Sequence, residues 1–258
     1  MVLFLLLFLF LLGLIIGSFL NAWIWRTRHG KSIAHGRSMC PDCKRTLGFF
    51  DLVPVVSYIF LKGKCRYCHK HISVQYPLVE IVTGLLFACI GYMYWDVGLI
   101  SNVIFTRDLI IVALLVAIFV YDFLYMEILD RMTTIPAIVL FILSLFFGWN
   151  EWGRMLVGIG IGAGFFLLQY VLSKGKWIGG GDIRLGLFMG VILGYPRIIL
   201  ALFIAYIIGA AVSLVLIAMK KKQLVSETPF GTYLTIATFI AMLWGDKIVT
   251  WYVGMLGL

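Results

Sequence analysis

Two carboxylates and four thiols are the residues of this chain whose types and spacing could do chemistry. Asp122 closes the apolar run DLIIVALLVAIFVYD, and Asp182 follows Gly179, Gly180 and Gly181 in KWIGGGDIRLG. A carboxylate in such surroundings costs a few kcal/mol or more, roughly, when ionised in lipid. Taken singly, each aspartate reads as a helix-end charge in the headgroup region, and Asp182 also as an N-cap accepting backbone N–H bonds. Taken together they suggest more. Two adjacent carboxylates cannot both ionise cheaply, so one would hold a proton while the other acts as a base, the arrangement of an aspartic protease. The thiols form a second constellation. CPDC at 40–43 and CRYC at 65–68 enclose 21 residues, and two such pairs supply the four thiolates that one tetrahedral Zn²⁺ takes. The competing reading is a pair of redox motifs or idle thiols. A cytosolic loop this short needs a staple to fold, which favours a structural metal.

The elements that must position these residues are membrane helices. The 258 residues are 62% hydrophobic and 13% charged, with apolar runs repeatedly near the roughly 20 residues that cross a bilayer. Hydropathy places eight spans at 2–25, 76–95, 108–128, 133–149, 154–173, 181–195, 198–219 and 229–254. The first resembles a signal peptide in its apolar run. It lacks a basic leading region, continues through GSFLNAWIW and meets positive charge only at Arg26 and Arg28, so it is read as a permanent helix. Orientation follows from the cations. Residues 26–75 carry ten Lys and Arg; placing them in the cytoplasm also puts Arg131, Lys174, Lys176, Arg184 and Lys220 to Lys222 there. That gives 17 inside against Arg107, Arg154, Arg197 and Lys247 outside, out of 21 in all, as expected for a chain with both termini outside. The net charge of +9 thus reports topology and not a nucleic-acid partner. On this map Asp122, Asp130 and Asp182 share the cytosolic face. Cys89 reads as a packing residue, His69 and His71 as exposed loop residues, and Gly158, Gly160, Gly162 and Gly164 as helix-packing positions.

These motifs carry a resemblance. GGGD at 179–182 resembles the GxGD motif of membrane aspartic proteases, and YDFLYMEILDR at 121–131 resembles its partner in type IV prepilin peptidases. GSFLN at 17–21, the two CxxC pairs, DLVPVVSY at 51–58, YPLVE at 76–80 and PFGTYL at 229–234 are similar to that family in the same order. Leu129 stands where members commonly have Pro, and Arg184 where they have Lys. A peptidase of the presenilin type would share YD and GxGD but lack the CxxC insertion. A proton- or metal-coupled transporter should show inverted repeats with broken helices, and none is visible.

The resemblance implies a bacterial plasma-membrane enzyme that removes the short basic leader of type IV prepilins or secretion and competence pseudopilins. It also implies methylation of the new amino terminus with S-adenosylmethionine. Asp122 and Asp182 would be the proteolytic pair, with Asp130 and Glu127 in supporting or headgroup roles. Without a Rossmann-like fingerprint, an S-adenosylmethionine pocket would have to be built from the insertion and adjoining helix ends, with Glu80 and Asn21 as its polar candidates, each equally readable as a residue of interhelical hydrogen bonding. The expected architecture is all-α: a polytopic membrane protein of about eight transmembrane helices. It divides into a first helix (1–25), a cytosolic insertion (26–75) binding structural Zn²⁺ and hosting methyl transfer, and the membrane aspartic peptidase helices (76–258).

Overall fold

The computed structural model describes residues 2–95, 103–219 and 228–255. Among them the only β pairing is two isolated bridges, Met39 with Thr46 and Lys64 with His71; everything else regular is helical. The chain falls into two compact units, Met1–Ala117 and Ile118–Leu258.

The first unit is built on α1 (Val2–Arg28) and α3 (Gln75–Trp95). Their pairing is dictated by two glycines one helical turn apart. A Cβ on Gly13 would lie 2.6 Å from the Cα of Gly84, and one on Gly17 would lie 2.7 Å from the Cα of Glu80. Only glycine lets the two backbones come this close, the small-residue packing that membrane helices use in place of a hydrophobic drive. One turn further on, Asn21 reaches α3 and donates from Nδ2 to the Tyr76 carbonyl at 3.0 Å. The helix α4 (Val103–Tyr125) begins in this unit, where the buried Asp108 receives the Tyr94 hydroxyl and pairs with Arg107 at 2.7 Å.

Between α1 and α3 lies the insertion, with a 3₁₀ turn at Phe49–Leu52 and the short α2 (Val56–Phe60). Its entry is fixed by Arg26, whose guanidinium donates to the carbonyls of Ser32, Ile33, His35 and Gly36 at 2.7–3.4 Å.

The second unit contains α5 (Thr134–Phe147), α6 (Trp152–Ser173), α7 (Gly180–Leu193), α8 (Arg197–Ala218) and α9 (Phe230–Met255). The end of α4 joins it. α7 is its interior helix: every residue from Leu185 to Leu193 except Leu187 is buried, with Leu185, Phe188 and Met189 at 0% exposure. Here too glycines set the distance, Gly158 and Gly162 of α6 against Gly190 and Gly186 of α7, where added Cβ atoms would fall within 2.8 Å of backbone. Gly160 and Gly164 have nothing within 4 Å, so the expected packing role holds for one face of the glycine run and not for the other. Where α7 stops, Asn150 Nδ2 donates to the Ile192 carbonyl at 3.2 Å and Gly194 N–H to the Gly190 carbonyl at 3.0 Å. At the start of α8, Arg197 grips Asp246 of α9 with two bonds of 2.6 Å.

Helices thus occur at the eight expected positions, but among the described residues six of them are long and apolar enough to cross a membrane. α5 and α7 have 14 residues each, about 21 Å at 1.5 Å per residue, against a hydrocarbon core of about 30 Å. The count of eight complete spans is therefore not reproduced. Hydropathy overshoots because α7 is apolar for burial in protein rather than for contact with lipid. Lys220 to Lys222 lie outside the described residues.

Candidate functional site

Asp122 occupies the last turn of α4 and is 4% exposed. Its Oδ2 accepts the Thr232 N–H at 2.9 Å, and the Gly231 N–H also serves this carboxylate. Both donors belong to the first turn of α9, where backbone N–H groups have no helical partner and the helix dipole favours negative charge. Asp182 is placed by the same physics at another helix start. It is the third residue of α7, 8% exposed, and its Oδ2 accepts the Gly179 N–H at 3.2 Å. The cap reading of Asp182 is thus partly right. One oxygen closes the helix start, and the group also lies within electrostatic reach of Asp122. Two buried carboxylates, each seated on a helix N-terminus, therefore face one region of the second unit.

The chain between them is folded tightly. After Met126, whose φ is 52° and whose N–H returns to the Asp122 carbonyl at 2.8 Å, residues 127–133 turn back toward α7. Arg184 Nη1 meets Asp130 Oδ2 at 2.9 Å, and Thr134 donates to the other Asp130 oxygen at 3.0 Å. Asp130 is thus occupied in an exposed ion pair. Tyr206, hydrogen-bonded to Gln169 at 2.8 Å, stacks edge-on against Phe230 at the other side of α9's first turn.

In the first unit the cysteines converge as their spacing predicts. Their sulfurs all lie within 4.8 Å of one another, with Cys40 and Cys68 Sγ 3.9 Å apart. A Zn–S bond of about 2.3 Å in a tetrahedron gives sulfur separations of about 3.8 Å, so the donor set fits that ion in number and type, with the Cys40–Cys68 pair at the required spacing and the rest within about 1 Å of it. The two pairs are built alike. Cys40 N–H bonds the Arg45 carbonyl and Lys44 N–H the Cys40 carbonyl; Cys65 does the same with Lys70 and His69. Each turn closes on one left-handed residue, Lys44 at φ 59° and His69 at φ 57°. His69 and His71 stay out of the cluster, as expected. Burial would push the Cys65 thiol up, but the N–H groups of Cys68 and Tyr67 outweigh it and hold it at about 7. The Lys70 N–H pulls the Cys68 thiol down, yet burial and the neighbouring thiols drive it up to about 11. Ionising all four in place requires a compensating cation. Lys70 with Asp42 at 2.9 Å ties the two turns together, and Asp51 anchors the 3₁₀ turn to the second through Arg66 at 2.6 Å.

A cavity of about 460 Å³ opens beside this cluster, lined among others by Ser18, Asn21, Trp25, Asp51, Tyr58 and Glu80. Glu80 and Asn21 therefore share one cavity wall, but their oxygens differ. Glu80 Oε2 accepts the Val55 N–H at 2.7 Å, holding a residue whose φ of 60° is strained for a β-branched side chain. Asn21, 3% exposed, has a buried Oδ1 with no partner.

Residues 11–94 match the family described as the bacterial peptidase A24 N-terminal domain, and residues 109–214 match the type IV leader peptidase family. A prepilin leader peptidase/N-methyltransferase of Bacillus subtilis (strain 168) is 34% identical over 248 residues, 96% of this chain and 97% of that protein. The chain belongs to the type IV leader peptidase family. Proteins of the same description from Myxococcus xanthus (strain DK1622) and Aeromonas hydrophila are 35% and 30% identical, over 81% and 94% of this chain and 62% and 92% of theirs. No solved structure gives a significant match. In this leader peptidase family member, sequence reading missed the two backbone donors of α9. PFGTYL is visible as a motif, and a Pro immediately before a helix followed by Gly signals an exposed N-terminus suited to an anion.

Proposed function

We propose that Asp122 and Asp182 are the catalytic pair with which this peptidase cleaves the leader of type IV prepilins or pseudopilins. The observation that carries the reading is the seating of two buried carboxylates on two helix N-termini of one unit, within electrostatic reach of each other. With one ionised and one protonated, the ionised carboxylate takes a proton from the attacking water. The neutral one donates to the oxygen of the scissile carbonyl as negative charge develops there. The Gly231 and Thr232 N–H groups and the Gly179 N–H fix the two carboxylates, so little reorganisation accompanies the step. The excess of Lys and Arg on one side of the helix map supports an arrangement with both termini outside and residues 26–75 in the cytoplasm of a bacterial plasma membrane. A prepilin helix crossing the same bilayer would present its basic leader to that face.

Cys40, Cys43, Cys65 and Cys68 would hold one structural Zn²⁺, pinning the insertion. The cavity beside them is of the size that takes small-molecule cofactors, roughly 300–1,000 Å³, and its orphaned Asn21 Oδ1 is a buried acceptor in want of an N–H donor. Both observations fit S-adenosylmethionine, which supplies an electrophilic methyl group. Asn21 would accept a hydrogen bond from the cofactor's amino groups, and Glu80 would keep the Val55 segment in place as the cavity's wall.

The test is incubation of purified protein with a prepilin, with products weighed by mass spectrometry. Asp122→Asn and Asp182→Asn should each lower cleavage at least a thousandfold, and the double variant should be no worse than either, because residues acting as a unit are not additive. Asp246→Asn, whose carboxylate pairs with Arg197 instead, should cleave normally. Normal cleavage by Asp182→Asn would return that residue to a plain helix cap.

A further inference from the structure

We propose that Ile128 is a positioning residue that sets the spacing of the two carboxylates, an inference resting on the reading of Asp122 and Asp182 as the catalytic pair. Ile128 is 9% exposed and lies between two glycines. A Cβ on Gly181, next to Asp182, would fall 2.9 Å from Ile128 Cβ; a Cβ on Gly231, which serves Asp122, would fall 2.9 Å from Ile128 Cδ1 and 2.8 Å from Asp122 Oδ2. One branched side chain thus packs against the start of α7 through Cβ, Cγ1 and Cδ1 and reaches the start of α9 through Cδ1. Interiors are close-packed, so such a contact fixes a distance to a few tenths of an ångström.

The wedge is itself held. The Met126 N–H ties the loop to Asp122 at 2.8 Å, and Arg184 spans the Ile128 carbonyl at 3.5 Å and the Asp130 carboxylate at 2.9 Å. Arg184 is two residues beyond Asp182, so the loop after one carboxylate is latched to the helix that carries the other. The exposed Arg184–Asp130 pair contributes little stability alone. Its part is orientation of the loop.

The substitutions form a graded series. Ile128→Val keeps the Cβ and Cγ1 against Gly181 and removes the Cδ1 that reaches Gly231; Ile128→Ala removes Cγ1 as well and leaves only the Cβ against Gly181. Cleavage of a prepilin in detergent should show kcat lowered about two- to fivefold by Val and at least tenfold by Ala, with KM within about twofold of the parent in both, since the substrate is not touched. Unchanged kcat in both variants, or a loss carried by KM, would overturn the proposal. Should Ile128→Ala not fold, Val decides alone: an unchanged kcat overturns the spacing role. Asp182→Asn is run alongside. If it cleaves, the carboxylate pair itself is wrong; if it is inactive while both Ile128 variants keep full kcat, only the wedge is wrong.

Discussion

Asp122 depends on a neighbour that has no side chain. Gly231 supplies an N–H and leaves room for the carboxylate, and the space is small: an added methyl would stand 2.8 Å from Oδ2. Gly231→Ala should therefore push the carboxylate off its two donors and lower cleavage at least tenfold, about 1.4 kcal/mol of transition-state stabilisation, while the helix itself gains propensity. Cleavage at the parental rate by a folded Gly231→Ala would remove the α9 N-terminus from the site. Residues of this kind mark where sequence reading ends. Asp122, Asp182 and the four cysteines stand out as candidates, because a carboxylate in an apolar run is costly and paired CxxC motifs have the spacing of metal ligands. Gly231, Thr232 and Ile128 act through backbone N–H groups and bulk, which any glycine, threonine or isoleucine carries. Glu80 stands out by its charge near a helix end, but which of its oxygens is engaged, and by the Val55 backbone, is fixed only by the fold of a strained turn.

Among the elements, α6 and α7 show how little of a packing face can be read from composition. Four glycines alternate along α6 as two pairs each four residues apart, yet only Gly158 and Gly162 meet Gly190 and Gly186, while Gly160 and Gly164 have nothing within 4 Å. Gly162→Ala would drive its methyl into the Gly186 carbonyl oxygen. It should cost about 1–3 kcal/mol by overpacking, visible as a fall of several degrees in the melting temperature in detergent, with α7 and Asp182 displaced and cleavage reduced. Gly160→Ala should melt at or slightly above the parental temperature with full activity. Equal melting of the two would show that the α6–α7 contact yields easily. Helix positions are legible because apolar runs bounded by Gly, Pro and charge are unmistakable. Helix roles are not, since an interior helix and a lipid-facing one use the same residues.

On the scale of the whole molecule, the two compact units separate the chemistry. The thiol cluster and the Asn21 cavity lie within one, and the aspartates within the other. About one zinc per chain is expected by elemental analysis, and Cys65→Ser should lose it. That variant and Glu80→Gln should impair methyl transfer at least tenfold more than cleavage; equal loss of both activities would tie the units into one machine. The short interior helix has a consequence for the lipid. α7 stops about 9 Å short of a full crossing, its last carbonyls met by Asn150 and its own turn. α7 is itself buried in protein, so its shortfall reaches the lipid through the helices packed around it, where acyl chains must thin, splay or leave the gap to water. Each costs fractions of a kcal/mol per Å of mismatch, and the cost grows with chain length. Vesicles of 14-carbon phospholipids should therefore support faster leader cleavage than vesicles of 22-carbon ones at equal protein density. Identical rates in both would mean that the neighbouring helices wholly shield α7 from the thickness of the membrane around it.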